Sequence, residues 1–581
     1  MLRRLMAALI IILTVSAAVG CDIRTNNPVQ SQPSSSSVSG AEEVHFRGPE
    51  SIGNMTLQSL IYKSQQAVTV YVVDISDLDD GLKSALRCLQ GLVSREEDAA
   101  VFLEDGDDDY AWRQYCASEY GVFFKSVTFN ELFLRYSDLI QKIIIYDDEG
   151  YEFNTAFTMA AVQSGICLDG DAIRQLDSDV LKGKDTEDVR NLWSSYDEAV
   201  NYAFENLVSQ CTPGYFSSVS TDTCLLDYLY ATKTFCIDLS YGGDIGRVSQ
   251  ALLTDTFGLF FGGEAHETLV STLSANGFIL VPADKLSNST MLSSLPRLNT
   301  QMVQEVPDNS AHGQSRAFIS ISLLNSTSLE STENYRKILQ SQELASAQLG
   351  ISVNPLLLEL AHPILSWYYQ NKPAGHEIIS SVDGIGMVDW SSFNSEYIDD
   401  LRSANSTLLS ESGITVLPLS GSSDSCADFS DGLDADCFCI SENPIPMIPA
   451  SGSSTISDSS SDVPSDNNTS SDTSGSLSEG SSPASSGSDS DAAGDALSAS
   501  DIVFCVSAED ASELEAPLDW LAEASGRDAV FAHILLDGGS TNDLVLNEIA
   551  DCINDINGEY DNPLTLLTPS GLLDEAEYQI D

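Results

Sequence analysis

The chain has 581 residues, of which 42% are hydrophobic, so it is long enough for about two to four domains with their own cores. It carries 87 acidic against 26 basic residues, a formal net charge of −61. So acidic a surface repels phosphate backbones and anionic lipid, which excludes nucleic-acid binding through a basic patch. The acidic excess favours a well-solvated surface over any particular partner.

The N-terminus is typical of an export signal. Arg3 and Arg4 precede an apolar run that ends in small residues directly before Cys21. This pattern predicts a signal peptide over residues 1–20 rather than a structural helix. The Ala-Val-Gly-Cys sequence resembles a bacterial lipobox, in which the cysteine is lipidated and becomes the mature N-terminus. An ordinary signal peptide with a chance cysteine stays open, because position 18 is Ala rather than the usual Leu.

Export predicts a location at the cell envelope, with the chain anchored to the membrane through the lipid on Cys21. Residues 21–50 are rich in Ser, Pro, Gln and Asn and predict a flexible tether. No later run reaches the roughly 18 apolar residues that a membrane span needs. Residues 450–500 are largely Ser, Asp, Gly and Ala, which cannot bury enough apolar surface to offset the entropy of ordering. We therefore predict a disordered insert there.

Strand and helix signals alternate through residues 51–250. This rhythm predicts an N-terminal α/β domain with a mainly parallel sheet. The predicted strands cover residues 68–73, 99–103, 123–124, 139–146 and 235–239, and the predicted helices cover residues 82–92, 153–162 and 191–209.

The same rhythm continues through residues 251–581. About eight strands with intervening helices predict a (β/α)-barrel-like C-terminal domain around the insert. The predicted strands cover residues 257–261, 277–281, 317–322, 377–382, 414–417, 502–506, 529–535 and 564–568. The predicted helices between them cover residues 264–274, 335–348, 396–410, 512–524 and 543–556.

The chain contains 12 cysteines, and a lipidated Cys21 leaves an odd number. An exported protein can form disulfides, and Cys426, Cys437 and Cys439 are close enough in sequence for a local one. A zinc site is the alternative, but Cys-x-Cys with no nearby histidine lacks a four-ligand pattern. We therefore expect a disulfide or free thiols here, and no metal.

Two short segments resemble ligand-binding loops only in part. Residues 105–109 begin like an EF-hand loop, but Tyr110 and Cys116 stand where that loop needs Gly and Glu. An acidic turn that caps a helix is favoured. Residues 242–246 lie between a strand and a helix pattern but lack the first glycine of a dinucleotide-binding loop, which favours a plain connector. The sequence therefore predicts no cofactor.

Two carboxyl groups at strand-to-helix junctions are the candidate acid–base pair. Glu264 follows the turn at residues 260–263, and Asp284 follows the next predicted strand. A glycosidase places two carboxyls on either side of a sugar bond, about 5 to 9 Å apart. The alternative is that both cap helices, because acidic residues favour helix N-termini.

Several stretches, taken in order, resemble the GxGYxYP family, whose proposed activity is glycoside hydrolysis. The resemblance implies an N-terminal α/β domain followed by a domain that bears the naming motif. The stretches are SALRCLQGLVSR at residues 84–95, KIIIYD at 142–147, NTA at 154–156, GGE at 262–264, ADKLSN at 283–288, the helix at 355–369 and TLLTPSGLL at 565–573.

Two family motifs are altered in this chain. The naming motif falls on GIGMVDW at residues 384–390, which keeps both glycines and replaces both tyrosines and the proline. The family's acidic SDGDN element falls on residues 322–326, where Leu323 and Asn325 replace aspartates. With both carboxylates replaced, these two positions offer a cation no anionic ligand, and neither an alkyl group nor an amide can act as a general acid or base. The resemblance therefore implies a site with impaired chemistry.

Strand-end positions and the resemblance together predict the site residues. The predicted catalytic residues are Glu264, Asp284, Asp383 and Asp389. The predicted substrate-binding residues are Asn288, Asn325, Gly384, Gly386 and Trp390, with the indole stacking on a sugar ring.

We expect an exported, lipid-anchored protein that binds or acts on glycans at the cell envelope. Its expected partners are carbohydrate and, through Cys21, the membrane, but not nucleic acid. Two alternatives stay open: a non-catalytic module that binds glycan or protein in the same cleft, and a structural envelope lipoprotein. Two carboxyls that converge on one pocket would favour the enzyme.

Overall fold

The computed structural model describes residues 69–147, 150–241, 244–253, 255–263, 266–298, 302, 304, 317–324, 333–341, 344, 348–440, 503–508, 514, 518, 521–522, 530–537, 543–559 and 564–580. The predicted signal peptide, Cys21, the tether and the insert lie outside these residues, as do Glu264 and Asn325. Within these ranges no helix combines the length and the apolar character that a membrane crossing requires.

Parallel strands organise the first half of the fold, as the alternating pattern predicts. They form three sheets. In each sheet, the strand that comes first in the chain is hydrogen-bonded on both sides by later strands. The strands are Thr69–Asp74 (β1), Ala99–Glu104 (β2), Phe124–Ser126 (β3), Lys142–Ile145 (β4), Gly165–Leu168 (β5), Asp185–Asp188 (β6), Tyr215–Ser217 (β7), Phe235–Cys236 (β8), Gly258–Gly262 (β9) and Phe278–Pro282 (β10).

The three sheets share one strand order. β1 lies between β2 and β3, β4 lies between β5 and β6, and β7 lies between β8 and β9, with β10 beyond β9. All of these pairs are parallel. The central strand of each sheet is therefore a switch point, beyond whose carboxyl end ligands bind in open α/β sheets. The third sheet has strands on both sides of residue 250, the predicted domain boundary, which stays a prediction.

Helices connect the strands throughout. In the first half they are Asp80–Glu96 (α1), Asp107–Glu119 (α2), Phe129–Arg135 (α3), Phe153–Gln163 (α4), Gly170–Gln175 (α5), Ser178–Leu181 (α6), Tyr196–Asn206 (α7), Leu226–Ala231 (α8), Ile245–Leu252 (α9), Glu267–Ala275 (α10) and Ser289–Leu292 (α11). In the second half they are Glu333–Gln340 (α12), Leu357–Leu360 (α13), His362–Asn371 (α14), Ile398–Ser412 (α15), Ser423–Ser430 (α16), Asp543–Glu559 (α17) and Pro569–Ile580 (α18).

The described residues of the two loop-like motifs lie at helix N-termini; residues 242 and 243 of the second motif lie outside the described part of the chain. Asp107, Asp108 and Asp109 form the first turn of α2, where carboxylates offset the helix dipole. Asp244 is the N-cap of α9, and its side chain accepts a hydrogen bond from the backbone N–H of Arg247. Both segments therefore have the structural role that their departures from the ligand-binding patterns favour.

Helix α1 carries the LQGLVSR stretch and packs along its whole length. Gly91 allows close approach of α8, since a Cβ there would lie 2.4 Å from the carbonyl oxygen of Asp227. Gln90 donates from Nε2 to the carbonyl of Val101 in β2 at 2.9 Å. Arg95 donates from Nη1 to the carbonyl of Ala161 in α4 at 2.8 Å. The stretch therefore joins a sheet and two helices, which is a packing role.

The strands of the second half are also parallel. They are Ala317–Leu324 (β11), Leu349–Val353 (β12), Glu377–Ser380 (β13), Val416–Ser420 (β14), Asp436–Ile440 (β15), Val503–Ala508 (β16), Val530–Asp537 (β17) and Leu564–Leu566 (β18). Six of them form a sheet of order β13-β12-β11-β17-β16, with β18 also paired to β11. β14 pairs only with β15 in the described part of the chain.

The predicted barrel is not confirmed. β13 has only four residues, and beyond it the chain turns at Asp383, whose φ of 61° is left-handed. No strand pairing in the described ranges joins β13 to β14. The two sheets instead share a small apolar cluster of Ile379, Val416, Phe438, Leu535 and Leu573. The C-terminal part is thus α/β with parallel sheets.

A disulfide joins α16 to β15 beside this cluster. It links Cys426 to Cys439, whose Cα atoms are 6.0 Å apart, while Cys437 is a free thiol. Of the two possibilities expected for these cysteines, a disulfide or free thiols, the structure has a disulfide between Cys426 and Cys439 and a free thiol at Cys437.

Candidate functional site

A cavity of about 790 Å³ opens at the carboxyl end of the third sheet. Each of its strands supplies part of the wall, because the lining residues follow β7, β8, β9 and β10 in turn. The charged or titratable side chains of the lining are Asp222, Asp238, His266, Asp284 and Lys285; the hydroxyls are Ser218, Ser220, Thr223, Ser240, Thr268 and Thr272. This is the switch point of the sheet, where the topology predicts a ligand.

Asp284, a predicted catalytic residue, belongs to a charge network in this cavity. Lys285 Nζ lies 3.6 Å from Asp284 Oδ2 and 4.0 Å from Asp222 Oδ2. The Lys285 ammonium therefore stands between two carboxylates. About a quarter of the Asp284 side chain is exposed (26%), against 62% for Asp222, so both can meet a ligand.

The cavity keeps Asp222 and Lys285 ionised near neutral pH. A hydrogen bond from Ser220 Oγ lowers the pKa of Asp222, against a smaller upward effect of burial. Burial lowers the pKa of Lys285, but the charges of Asp284 and Asp222 together outweigh it and hold the pKa above its usual value. The ammonium and the Asp222 carboxylate are therefore both charged at pH 7.

Glycine at position 263 leaves the space that the Asp284 carboxyl occupies. A Cβ on Gly263 would lie 2.7 Å from Asp284 Cγ and from Oδ2. The backbone carbonyl of Asp284 accepts a hydrogen bond from the Cys224 N–H at 2.6 Å. Asp284 is thus positioned by the turn after β9 and by the chain that precedes α8.

Asn288, a predicted substrate-binding residue, is buried in the same loop and is 2% exposed. Its Oδ1 accepts hydrogen bonds from the Leu103 N–H at 2.8 Å and from Gln90 Nε2 at 2.9 Å. Its Nδ2 donates to the Leu103 carbonyl at 2.9 Å. These contacts fasten the loop after β10 to β2 and α1, which favours a positioning role over contact with substrate.

His266 lines the cavity at the N-terminus of α10. Its Nδ1 accepts a hydrogen bond from the Leu269 N–H at 3.2 Å. In the neutral ring this leaves the hydrogen on Nε2, so that the side chain can act only as a donor there. Glu264, the second predicted carboxyl, falls between Gly263 and His266 in the sequence, but it lies outside the described residues.

Asp383, the third predicted catalytic residue, does not line the cavity. Its carboxyl accepts hydrogen bonds from Trp390 Nε1 at 2.8 Å, from the Ser420 N–H at 2.8 Å and from Ser420 Oγ at 2.6 Å. Burial raises the pKa of Asp383 to about 6, against the lowering effect of these bonds. The Trp390 indole packs on Phe429, with ring centroids 4.0 Å apart. Both side chains are engaged in structural contacts.

Asp389 is likewise held by its own neighbours. Burial raises its pKa, but hydrogen bonds from Ser391, Ser392 and Ser271 outweigh this effect and lower the pKa to about 2. The Asp389 N–H donates to Ser274 Oγ in α10 at 3.0 Å. Asp389 therefore stays ionised and fixes the end of the Gly-x-Gly loop rather than lining the cavity.

The two glycines of the Gly-x-Gly loop serve packing. Gly384 has a φ of 79°, and a Cβ there would lie 1.8 Å from Asn405 Oδ1. A Cβ on Gly386 would lie 2.6 Å from the carbonyl oxygen of Leu280. Met387 then makes an antiparallel bridge to Leu280, with its N–H 2.7 Å from the Leu280 carbonyl oxygen. The loop thus lies against the free edge of β10.

The position of the family's acidic element is apolar and buried here. Leu323 is 0% exposed and belongs to the main core, and Ser322 Oγ is hydrogen-bonded to His533 Nε2 at 2.7 Å. Asn325 lies outside the described residues. Within the parts of the chain that the structure describes, no cluster of His, Cys, Asp or Glu could hold a metal ion.

Sequence analysis missed Asp222, Asp238 and Lys285. Asp238 follows β8 in the structure, but it falls inside the strand predicted over residues 235–239, so a rule that looks beyond predicted strand ends does not reach it. Asp222 follows β7, a strand of three residues that gives no periodic signal of its own. Lys285 is adjacent to Asp284 in the sequence, but the glycosidase pattern consists of two carboxyls and gives no signal for an ammonium group.

Comparison with known proteins gives one similar solved structure and one matching family model. No curated protein matches the chain. A solved structure described as a "putative hydrolase" from Bacteroides thetaiotaomicron VPI-5482 is similar with a TM-score of 0.67 and 15% identity, over 91% of this chain and 98% of that one. At that identity the similarity shows the fold alone. Residues 69–138, which include the LQGLVSR stretch, match the family model described as GxGYxYP_N 1st domain. The predicted resemblance to the GxGYxYP family is therefore confirmed through its first domain, at residues 69–138.

Proposed function

We propose that this chain is an exported, lipid-anchored protein that binds a glycan in the cavity at the end of the third sheet. The observation that carries the proposal is the lining, in which hydroxyls and carboxylates surround one ammonium at a switch point. Sugar hydroxyls both donate and accept hydrogen bonds, and such a lining offers both functions. The volume of about 790 Å³ lies within the range of small-molecule sites, roughly 300–1,000 Å³.

Glycan binding fits the described carboxyls better than acid catalysis does. A glycosidase needs a protonated carboxyl beside an ionised one. The carboxyls whose pKa burial raises to about 6 or 7, namely Asp227, Asp383 and Glu377, do not line the cavity. Hydrolysis is the second candidate function, favoured by the fold and by Asp284, with Glu264 as the proposed acid.

Asparagine at position 284 should weaken glycan binding at least about tenfold, because it removes a charged acceptor and breaks the contact with Lys285. The measurement is glycan-array binding followed by calorimetry on the best ligand, with the exposed Asp98→Asn as matched control. If Asp284→Asn binds the glycan with unchanged affinity, the cavity is not the binding site. If the protein releases reducing ends from a polysaccharide and Glu264→Gln abolishes that release, hydrolysis becomes the supported function.

Replacement of Cys21 by alanine should release the protein from the membrane. The lipid would attach to that thiol, so the variant should lack the lipid anchor. The disulfide between Cys426 and Cys439 supports export, because such bonds persist in oxidising compartments. Metabolic labelling with an alkyne fatty acid and membrane fractionation give the readout. Labelling that persists in Cys21→Ala would exclude this anchor.

A further inference from the structure

The charge of the cavity lining points to the class of glycan that it accepts. Three carboxylates, those of Asp222, Asp238 and Asp284, line the cavity with one ammonium, that of Lys285, and no arginine belongs to the described lining. The formal charges of these four side chains, three negative and one positive, leave an excess of two negative charges. We propose that the cavity selects neutral and amino sugars and excludes glycans that carry carboxylate or phosphate groups, an inference that rests on the proposed glycan binding.

Lys285 does not attract an anionic sugar into the cavity, because its ammonium is already paired with two carboxylates. Its Nζ stands between Asp284 Oδ2 at 3.6 Å and Asp222 Oδ2 at 4.0 Å. An anionic sugar would have to displace one of these carboxylates and then lie beside it. Like charges at such distances repel, and partial withdrawal from water strengthens the repulsion.

Asp238 supplies the attraction for a cationic group. Its Oδ1 accepts hydrogen bonds from the Ser240 N–H at 2.8 Å and from Ser240 Oγ at 2.6 Å, which fixes the carboxylate at the end of β8. Within the described residues it has no ion pair, although Asp222 and Asp284 both have one. The ammonium of an amino sugar therefore finds a fixed and unneutralised carboxylate here.

The specificity should change in Asp222→Asn. The substitution removes one of the two carboxylates beside Lys285 and lowers the excess negative charge of the lining from two to one. The ammonium then becomes available to an acidic sugar. Because the Asp222 side chain is 62% exposed, this variant should fold normally.

The test is an array of oligosaccharides that share backbones and differ in charge: neutral, amino, uronate and phosphorylated forms, at pH 7 and low salt. For the unmodified protein we expect uronate and phosphorylated forms to bind at least about tenfold more weakly than their neutral counterparts, and amino forms at least as well. In Asp222→Asn the ratio of uronate to neutral binding should rise about tenfold, and in Asp98→Asn it should not change.

The outcomes separate this inference from the proposed function. If no glycan of any charge binds, the proposed function fails and the inference fails with it. If neutral glycans bind but uronates bind equally well or better, the inference alone is overturned. A preference that Asp222→Asn does not shift would also overturn it. A preference that weakens as salt is raised supports it, because screening reduces charge repulsion.

Discussion

Alanine at position 383 should lower the free energy of unfolding by about 3 kcal/mol at pH 5. Asp383 is 2% exposed and accepts three hydrogen bonds, so its removal leaves the Trp390 indole and the Ser420 N–H without their partner. Each unsatisfied buried donor costs roughly 1–3 kcal/mol. Urea unfolding followed by tryptophan fluorescence measures the loss, and the exposed Asp399→Ala serves as the control.

The loss of unfolding free energy in Asp383→Ala should become smaller as the pH rises. Burial raises the pKa of Asp383 to about 6 in the folded state, above its ordinary value of 3.8. The folded protein therefore holds this proton more tightly, and the resulting stability is lost between about pH 4 and pH 6. The variant has no such group, so the difference from the unmodified protein should be smaller at pH 8. Retained stability together with lost glycan binding would instead support the predicted catalytic role.

Alanine at position 91 should destabilise the fold by about 2 kcal/mol. Its Cβ would lie 2.4 Å from the Asp227 carbonyl oxygen and 2.8 Å from Tyr230 Cβ, so that α1 and α8 must move apart. Overpacking of this kind costs roughly 1–3 kcal/mol. The backbone contact leaves no flexible side-chain end to yield, and the gain in helix propensity, about 1 kcal/mol, offsets only part of the loss.

The matched control for this substitution is Gly558→Ala. Gly558 also lies in a helix, α17, but a Cβ there meets no atom within 4 Å. This control should be neutral or slightly stabilising, by up to about 1 kcal/mol. Both variants are compared by urea denaturation. Equal stability of the two would contradict the packing role of the LQGLVSR stretch, which lies within the matched first domain.

Long apolar strands were predictable from the sequence, and short ones were not. The run at residues 68–73 corresponds to Thr69–Asp74, and that at 317–322 to Ala317–Leu324. Tyr215–Ser217 is too short to show a period of two, so the centre of the third sheet was missed. The helix predicted over residues 335–348 ends at Gln340, and β12 begins at Leu349. The predicted barrel is not confirmed, because no strand pairing among the described residues joins β13 to β14.

The candidate site was predictable only where a strand end marked it. Asp284 was selected because it follows a strand, and the structure places it in the cavity. Asp383 and Asp389 are predicted from their place beside the two glycines of the altered family motif, but those glycines fit closely against Asn405 and β10. A glycine pattern records close approach of backbones, and sequence alone does not say whether the approaching partner is a ligand or the protein itself.

The loop after β10, which bears two of the charged residues of the cavity, is anchored at both of its ends. Met387 holds β10 at Leu280, and Asn288 fastens the far end of the loop to β2 and α1. The segment that bears Asp284 and Lys285 is therefore restrained on both sides. This segment loses most of its conformational entropy when the chain folds. Little further entropy would be lost when a ligand binds. Under the proposed function, the affinity for a glycan would therefore depend mainly on the contacts that Asp284 and Lys285 make, because the segment that bears them is already ordered in the folded chain.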